Sequence, residues 1–513
     1  WDAYYQYGQT KSDLTITGLR SNARFAQAVD AVIAPNGQTV CRSTLTAPTN
    51  GCVPFNVFGE SNGSGGAVAY VTGTGWANRD ISQHVAAFNL HGDLFHTWAG
   101  PISAATGVEY RRDRSVGAAD ATSIASGWNS NNAYPLLASV IRTTEGYAEV
   151  NVPLLHESPL GYALNVDGAV RRTHTNNTGN ATTWKLGAVY QPTPEYMIRF
   201  TRSHDIRAPS ALELSPIANT VNLPINDPTP VVGGTYYVNL TSGGNPNLAP
   251  EKANTTTIGF VLKPDWIRNF HFSVDYYNIK VGKAIAILAG QQTINLCVQG
   301  NTSVCPFITR NSSGQITQVF STYQNLSKLN SEGLEFVSDY TLDLSNISRS
   351  LPGSLNFVVN ATYTIKLTTT DATGFVTRFD GWTGNPGTVQ SVFGVPKWRA
   401  DGVITYAADR YSLSVHGRYI GPGVYDPTKI GPDEAGYSTT LATSNNYNRV
   451  ASRLYWDLTG SVDILKDGKR QLELFGSIYN LFDKDPPRLR LYGNPVLFDP
   501  IGRAYRIGMR TRF

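Results

Sequence analysis

Residues 453–464 read Arg-Leu-Tyr-Trp-Asp-Leu-Thr-Gly-Ser-Val-Asp-Ile. Leu454, Trp456, Leu458, Gly460, Val462 and Ile464 share one parity, while Arg453, Tyr455, Asp457, Thr459, Ser461 and Asp463 share the other. A period of two is the β-strand period, because successive side chains leave a pleated strand on opposite faces. The pattern recurs. Tyr505, Ile507, Met509, Thr511 and Phe513 alternate with Ala504, Arg506, Gly508, Arg510 and Arg512. Tyr411, Leu413, Val415 and Tyr419 alternate with Ser412, Ser414, His416 and Arg418, and Phe270, Phe272, Val274 and Tyr276 with His271, Ser273, Asp275 and Tyr277. One face is apolar or aromatic and the other carries the charge. Strands in soluble sandwiches are shorter. Segments of about ten residues with aromatics toward their ends fit a strand crossing a bilayer, with lipid on one side and a polar lumen on the other.

The connections between strands alternate as well. Short turns are expected at Ala99–Pro101, His156–Pro159, Gln191–Glu195, Lys263–Arg268, Ala407–Arg410 and Lys466–Arg470, with Asp343–Gly353 a longer member of the set. Between them lie long polar stretches near 20–55, 117–138, 207–248, 285–326, 369–394, 421–450 and 484–502. Compact soluble domains rarely carry such loops, whereas short turns on one side and long loops on the other suit an outer-membrane barrel. The fold class expected is therefore all-β, a transmembrane antiparallel β-barrel. Its strands fall at about 2–11, 77–98, 102–116, 141–155, 161–174, 182–191, 196–206, 251–263, 269–284, 327–341, 354–368, 396–407, 411–420, 451–464, 471–481 and 503–513. That is about sixteen strands, with both termini on the short-turn side.

Composition agrees. Of 513 residues, 16% are charged, against roughly 25% in ordinary soluble domains. Tyrosine numbers 27 and methionine 2, and the mean hydropathy is −0.22. No run of about 18 apolar residues is present, which excludes a helical membrane protein. A net charge of +4 from 42 basic and 38 acidic residues is too small to imply a nucleic-acid partner. The four cysteines form two local pairs, Cys41 with Cys52 and Cys297 with Cys305, each inside a Gly/Asn/Ser/Thr-rich loop. Neither pair has zinc-ligand spacing or a nearby histidine, so two loop disulfides in an oxidising compartment are expected. The chain opens at Trp1 with no leader before it, as expected of a mature chain or a piece of a longer one.

Several segments, in order along the whole chain, resemble the barrel domain of TonB-dependent outer-membrane receptors. Asp205-Ile-Arg-Ala-Pro-Ser210 followed by Ala211-Leu-Glu213 is similar to the family's motif where a mid-barrel strand enters a long loop. Asn245-Pro-Asn-Leu-Ala-Pro-Glu-Lys252 resembles the segment that opens its next strand, and Ser331-Glu-Gly-Leu-Glu335 and Val395-Pro-Lys-Trp398 resemble later strand starts. Tyr479-Asn-Leu-Phe-Asp483 is similar to its penultimate-strand motif. Terminal Phe513 resembles the aromatic end read by the outer-membrane insertion machinery. These positions read as architecture: prolines cannot donate to a ladder, and Asn480 and Asp483 favour turns.

The resemblance implies a bacterial outer-membrane nutrient receptor, taking up a siderophore, a cobalamin or an oligosaccharide. It implies outer-membrane lipid, the insertion machinery, a small nutrient ligand and the TonB complex as partners, the last through an N-terminal region that nothing here resembles. The family barrel has 22 strands behind a plug, so residues 1–513 are expected to be part of one barrel domain, without plug. An open edge in lipid strands a row of unpaired backbone groups. So either the first strand closes onto the last, making a passive 16-strand porin, or the sequence is a truncated piece of a longer product. The second is favoured, since the Gly and Asn loops and the C-terminal strand give no sign of an adaptation to closure.

No enzyme and no cofactor are expected. Gly59-Glu-Ser-Asn-Gly63 fits a nucleophile elbow in outline but lacks the strand and helix the elbow needs, and Asn176-Asn-Thr178 reads as a short hairpin loop. No paired-carboxylate or Cys/His cluster stands out among the eight histidines. Arg112 and Arg114, near Glu109 and Asp113, share a strand face and are expected to line the lumen, against a plug or an anionic ligand. Trp76, Tyr236, Tyr237, Trp382, Tyr425 and Tyr437 fall in or beside the long loops, where aromatics either stack on a ligand or pack a loop core.

Overall fold

The alternating segments form one long antiparallel sheet in the computed structural model, which describes the chain apart from residues 60–62, 130–138, 215–217, 230–233, 299, 301, 303, 372–373, 385–392, 428, 442–443, 468–469, 488–496 and 513. Its wall strands are β1 (Asp2–Arg20), β2 (Thr72–Thr97), β3 (Gly100–Ala119), β4 (Ser139–Ser158), β5 (Gly161–Thr175) and β6 (Gly179–Thr193). They continue as β7 (Tyr196–Arg207), β8 (Glu251–Leu262), β9 (Phe270–Ile287), β10 (Ile316–Asp343) and β11 (Ser354–Thr370). The last are β12 (Trp398–Ala407), β13 (Tyr411–Ile420), β14 (Arg453–Asp467), β15 (Arg470–Tyr479) and β16 (Ala504–Arg512). Every segment expected from alternation is a strand. Each pairs antiparallel with the next along the chain, as in Tyr5↔Ala86, Phe88↔Val108, Phe200↔Ile258, Tyr276↔Leu334 and Ile478↔Tyr505. No ladder joins β1 to β16 among the described residues.

The two ends of the sheet differ as the turn chemistry requires. At one end β2–β3, β4–β5 and β6–β7 are joined by residues 98–99, 159–160 and 194–195. At the other end the connections include 21–71, 208–250, 288–315 and 421–452. These long loops carry structure that alternation did not reveal: helices Asn22–Val29, Gly65–Val71 and Gly290–Val298, and a hairpin of Ala218–Asp227 with Gly234–Gly243. No helix among the described residues is long and apolar enough to cross a membrane.

The sheet has an apolar face that the described residues leave uncovered. Phe88, Val108, Val170, Leu186, Phe200 and Ile258 lie on it, all exposed, and the registers Phe88↔Val108 and Phe200↔Ile258 place them side by side. Such a surface is stable against lipid and not against water. The opposite face is a lattice of ion pairs: Arg171–Glu145 at 2.8 Å, Lys185–Asp167 at 3.0 Å, Arg199–Asp275 at 2.5 Å and Arg510–Glu473 at 2.7 Å. Buried apolar clusters sit instead where the loops meet the strand ends, around Ile225, Val238, Ile294 and Val319, and around Ile420, Tyr425, Tyr455 and Phe498.

Candidate functional site

Where β7 and β8 enter the long loops, Arg207 closes a clamp. Its Nε donates to Glu251 Oε2 at 2.7 Å, and Nη1 donates to Glu213 Oε2 at 2.9 Å. Two carboxylates around one guanidinium use the planar donor fork fully. Glu213 also accepts from the Ser210 amide, and Ile285 N donates to Glu251 Oε1. Burial by itself raises the Glu213 carboxyl, yet the Arg207 and Ser210 donors outweigh it and hold it below its ordinary value. The Asp205–Glu213 and Asn245–Lys252 motifs are thus one fastening between adjacent strand tops.

Beyond the clamp, the loop hairpin is pinned by Asp227. Its carboxylate, fully covered, accepts from Arg310 Nη1 at 2.7 Å and from Tyr236 Oη at 2.8 Å. Tyr236 Oη in turn accepts from Ile316 N. Tyr236 therefore packs a loop core. Trp382 and Tyr425 do the same next door: both are buried, Trp382 Nε1 donates to the Tyr425 carbonyl at 2.7 Å, and Trp382 stacks on Phe379. Trp76 lies at the top of β2, half exposed, its amide held by Asp120.

Above Trp382 and Tyr425 opens a cavity of about 740 Å³ between the loops that follow β11 and β13. Asp380, Lys397, Asp433, Tyr447 and Arg449 line it. Asp380 is fully covered and accepts from Arg378 Nη2 at 2.6 Å, with Lys397 Nζ 4.0 Å away. The Arg378 guanidinium is raised by that hydrogen bond. Arg449, largely exposed, reaches Asp433 at 2.9 Å. Tyr447 leans on Tyr425 with ring centroids 5.5 Å apart and keeps an exposed face. The lining sets three carboxylates, Asp380, Asp433 and Glu434, against the two cations Lys397 and Arg449, so the cavity offers polar groups of both signs and one open aromatic ring. Alternation could not find these residues, since they lie in loops; only Lys397 fell inside a quoted motif.

The lumen corrects one expectation. Arg112 and Arg114 do not face it. They share the parity of Val108 and Tyr110, whose neighbours are Phe88 and Ala86 on the apolar face. The lumenal arginine is Arg111, 2.5 Å from Glu109, followed by Glu145 and by Arg171 over the Tyr147 ring. Charge density drew attention to Arg112, while parity decides the side.

Residues 1–481 match the family described as TonB dependent receptor-like, beta-barrel. This chain belongs to the TonB-dependent receptor barrels. No curated protein matches it. Among solved structures, a ferric enterobactin receptor (PfeA) mutant from Pseudomonas aeruginosa superposes over 99% of this chain and 59% of its own, at TM-score 0.57 and 15% identity. The siderophore receptor PirA from Acinetobacter baumannii covers 100% of this chain and 60% of its own, at TM-score 0.57 and 14% identity. The RagAB peptide transporter matches at TM-score 0.51 and 12% identity, over 86% of this chain and 56% of its own. The receptor barrel described here thus spans about three fifths of the length of the siderophore receptors it matches. Likeness at this identity carries the fold. The family consists of transporters and receptors of the outer membrane, not enzymes.

In this receptor barrel both disulfides are formed, Cys41–Cys52 in the first long loop and Cys297–Cys305 beside the helix Gly290–Val298. Asn480, buried, occupies the left-handed region (φ 49°) and receives Lys484 N on Oδ1 while its own amide donates to Asp457. Asp483 does likewise (φ 52°) and accepts from Arg503 N. Asn and Asp tolerate that conformation better than other side chains. Ser61 and Phe513 lie outside the described residues.

Proposed function

We propose that this chain forms the wall and capture loops of a bacterial outer-membrane receptor that imports a small nutrient, with TonB supplying the energy through a region beyond these residues. The carrying observation is the family match over residues 1–481 on a sheet with an uncovered apolar face and an ion-paired lumen face. The loop cavity beside Trp382 and Tyr425 is the capture site, where Lys397 and Arg449 exchange their partners Asp380 and Asp433 for an acidic group of the ligand and Tyr447 offers a stacking surface. The siderophore-receptor neighbours make a ferric siderophore the first ligand to try; cobalamin and oligosaccharide remain alternatives within the same role. Further strands complete the wall, because an unladdered edge in lipid would strand backbone donors and acceptors. A passive 16-strand porin needs a β1–β16 ladder, and the described residues of these strands show none. The test is uptake of labelled ferric siderophore by cells carrying the gene, with and without TonB. Loss of accumulation without TonB supports the reading, and passive entry in both overturns it.

A further inference from the structure

The membrane face of the sheet carries a band of cations without acids. Arg112, Arg114, Arg142, Arg172, Arg202 and Lys252 share parity with Val108, Val150, Val170, Phe200 and Ile258, and so point to the apolar side of β3, β4, β5, β7 and β8. Each sits in the part of its strand nearer the long-loop end of the sheet. On that face of β3 to β8 the one acid among the described residues is Glu157, at the short-turn end of β4, and the adjoining β2 carries Asp80, hydrogen-bonded by Gln9; the long-loop half of β3 to β8 holds none. None of the six makes an ion pair among the described residues. Arg172 donates to the Thr182 hydroxyl at 2.6 Å, and Arg202 to that of Thr256. Their lumen-facing neighbours Arg111, Arg171 and Arg199 are all paired with carboxylates. Arg112 and Arg142 stand directly opposite one another across the β3–β4 ladder.

Like charges directly opposite on one sheet face repel, and arginine on a lipid face is tolerated near the interface and not at the midplane. A row of unpaired guanidinium groups at the edge of an apolar face is complementary to phosphate, which arginine grips with two parallel donors. We propose that this band binds the phosphate groups of an anionic lipid headgroup in the leaflet beside the long loops, with Arg112 and Arg142 sharing one phosphate. The inference rests on the reading of the apolar face as the membrane face.

Its test uses the protein as extracted from its own membrane, reconstituted in nanodiscs of phosphatidylcholine doped with a bisphosphorylated glucosamine lipid or with the same lipid dephosphorylated. Retained lipid is read by native mass spectrometry, with inorganic phosphate as a competitor and heat-modifiable migration as the measure of folding. R112Q/R142Q is expected to retain the phosphorylated lipid about tenfold less well than wild type, the loss of one charge-assisted contact. R112K/R142K should recover part of it, and K263Q/R268Q, which removes two cations at the short-turn end, should leave retention unchanged. Equal retention by folded R112Q/R142Q, or equal retention of the dephosphorylated lipid, would overturn the proposal. Full displacement by millimolar inorganic phosphate would also overturn it, marking a free-phosphate site. Protein that does not enter the discs contradicts the membrane reading as well, whereas insertion with unchanged retention contradicts this proposal alone.

Discussion

Arg207 and Glu251, one at the top of β7 and the other opening β8, face each other in the ladder and form two hydrogen bonds, of 2.7 and 2.8 Å. The same guanidinium holds Glu213, so one side chain fixes the entry and the exit of the long loop 208–250. Glu251 is largely covered and Arg207 half exposed. Replacing Arg207 by Gln leaves two carboxylates close together without their cation and is expected to cost about 1–3 kcal/mol, discounted for that exposure. The loss should appear as faster proteolysis within 208–250, with β7 and β8 themselves still protected. Unchanged cleavage in R207Q would show that the clamp does not hold the loop.

Asp227 gives a pH prediction. Burial raises its carboxyl, but donors from Arg310, Tyr236 and Thr229 outweigh that and hold it well below the usual carboxylate range. A carboxylate lowered by folding stabilises the fold above its unfolded value of about 3.9 and loses that contribution only as pH falls through the lower folded value. The hairpin Ala218–Asp227/Gly234–Gly243 should therefore be as protected from hydrogen exchange at pH 4 as at pH 7, once intrinsic rates are corrected. D227N should lose protection at both. Opening of the wild-type hairpin between pH 5 and pH 4 would contradict the assignment.

Asn480 is expected to be intolerant of alanine. The substitution removes the hydrogen bond from Lys484 N and the side-chain donor to the Lys484 carbonyl, and puts a methyl-bearing residue at φ 49°. About 1–3 kcal/mol should be lost, read as a lower midpoint of heat-modifiable migration. N480G, which relieves the backbone but restores no hydrogen bond, should fall between N480A and wild type. If N480A melts as wild type does, the turn is not fixed by this side chain.

The disulfides close loops of sequence separation 11 and 8, both within the long connections. Short loops gain only about 2–3 kcal/mol from closure, and that gain is local. C41S/C52S and C297S/C305S should raise protease sensitivity within 21–71 and 288–315, leaving the folded barrel's electrophoretic migration intact. Collapse of the barrel in either variant would contradict a local role.

Much of the wall was legible because lipid and lumen impose opposite chemistry at a spacing of two. Every wall strand followed from that, down to Leu454–Val462 and Tyr505–Met509. Ends were less legible where a ladder outruns the membrane: β10 starts at Ile316, not near 327, since Asn239–Gly243 of the loop hairpin pairs parallel with Gln318–Thr322. Arg112 was misplaced because a dense charge cluster suggested the lumen, while its alternation with Arg111 had already put the two on opposite faces. Apart from the two disulfides, the loop contacts were not legible. Asp227 and Arg310 are 83 residues apart, and nothing periodic joins them.

In the capture cavity, K397Q/R449Q is expected to weaken binding of an anionic ligand about tenfold or more, the equivalent of one or two charge-assisted contacts. Protein abundance in the outer membrane should not change, and titration of labelled ferric siderophore onto whole cells gives the comparison. Wild-type affinity in the double variant would place the capture site elsewhere.

Uptake by energised cells tests the account most directly. Cells carrying the gene, supplied with the nutrient well below the level that passive diffusion can use, should accumulate it against its gradient, and should stop when TonB is removed. Accumulation that persists without TonB and tracks the external concentration would contradict the account.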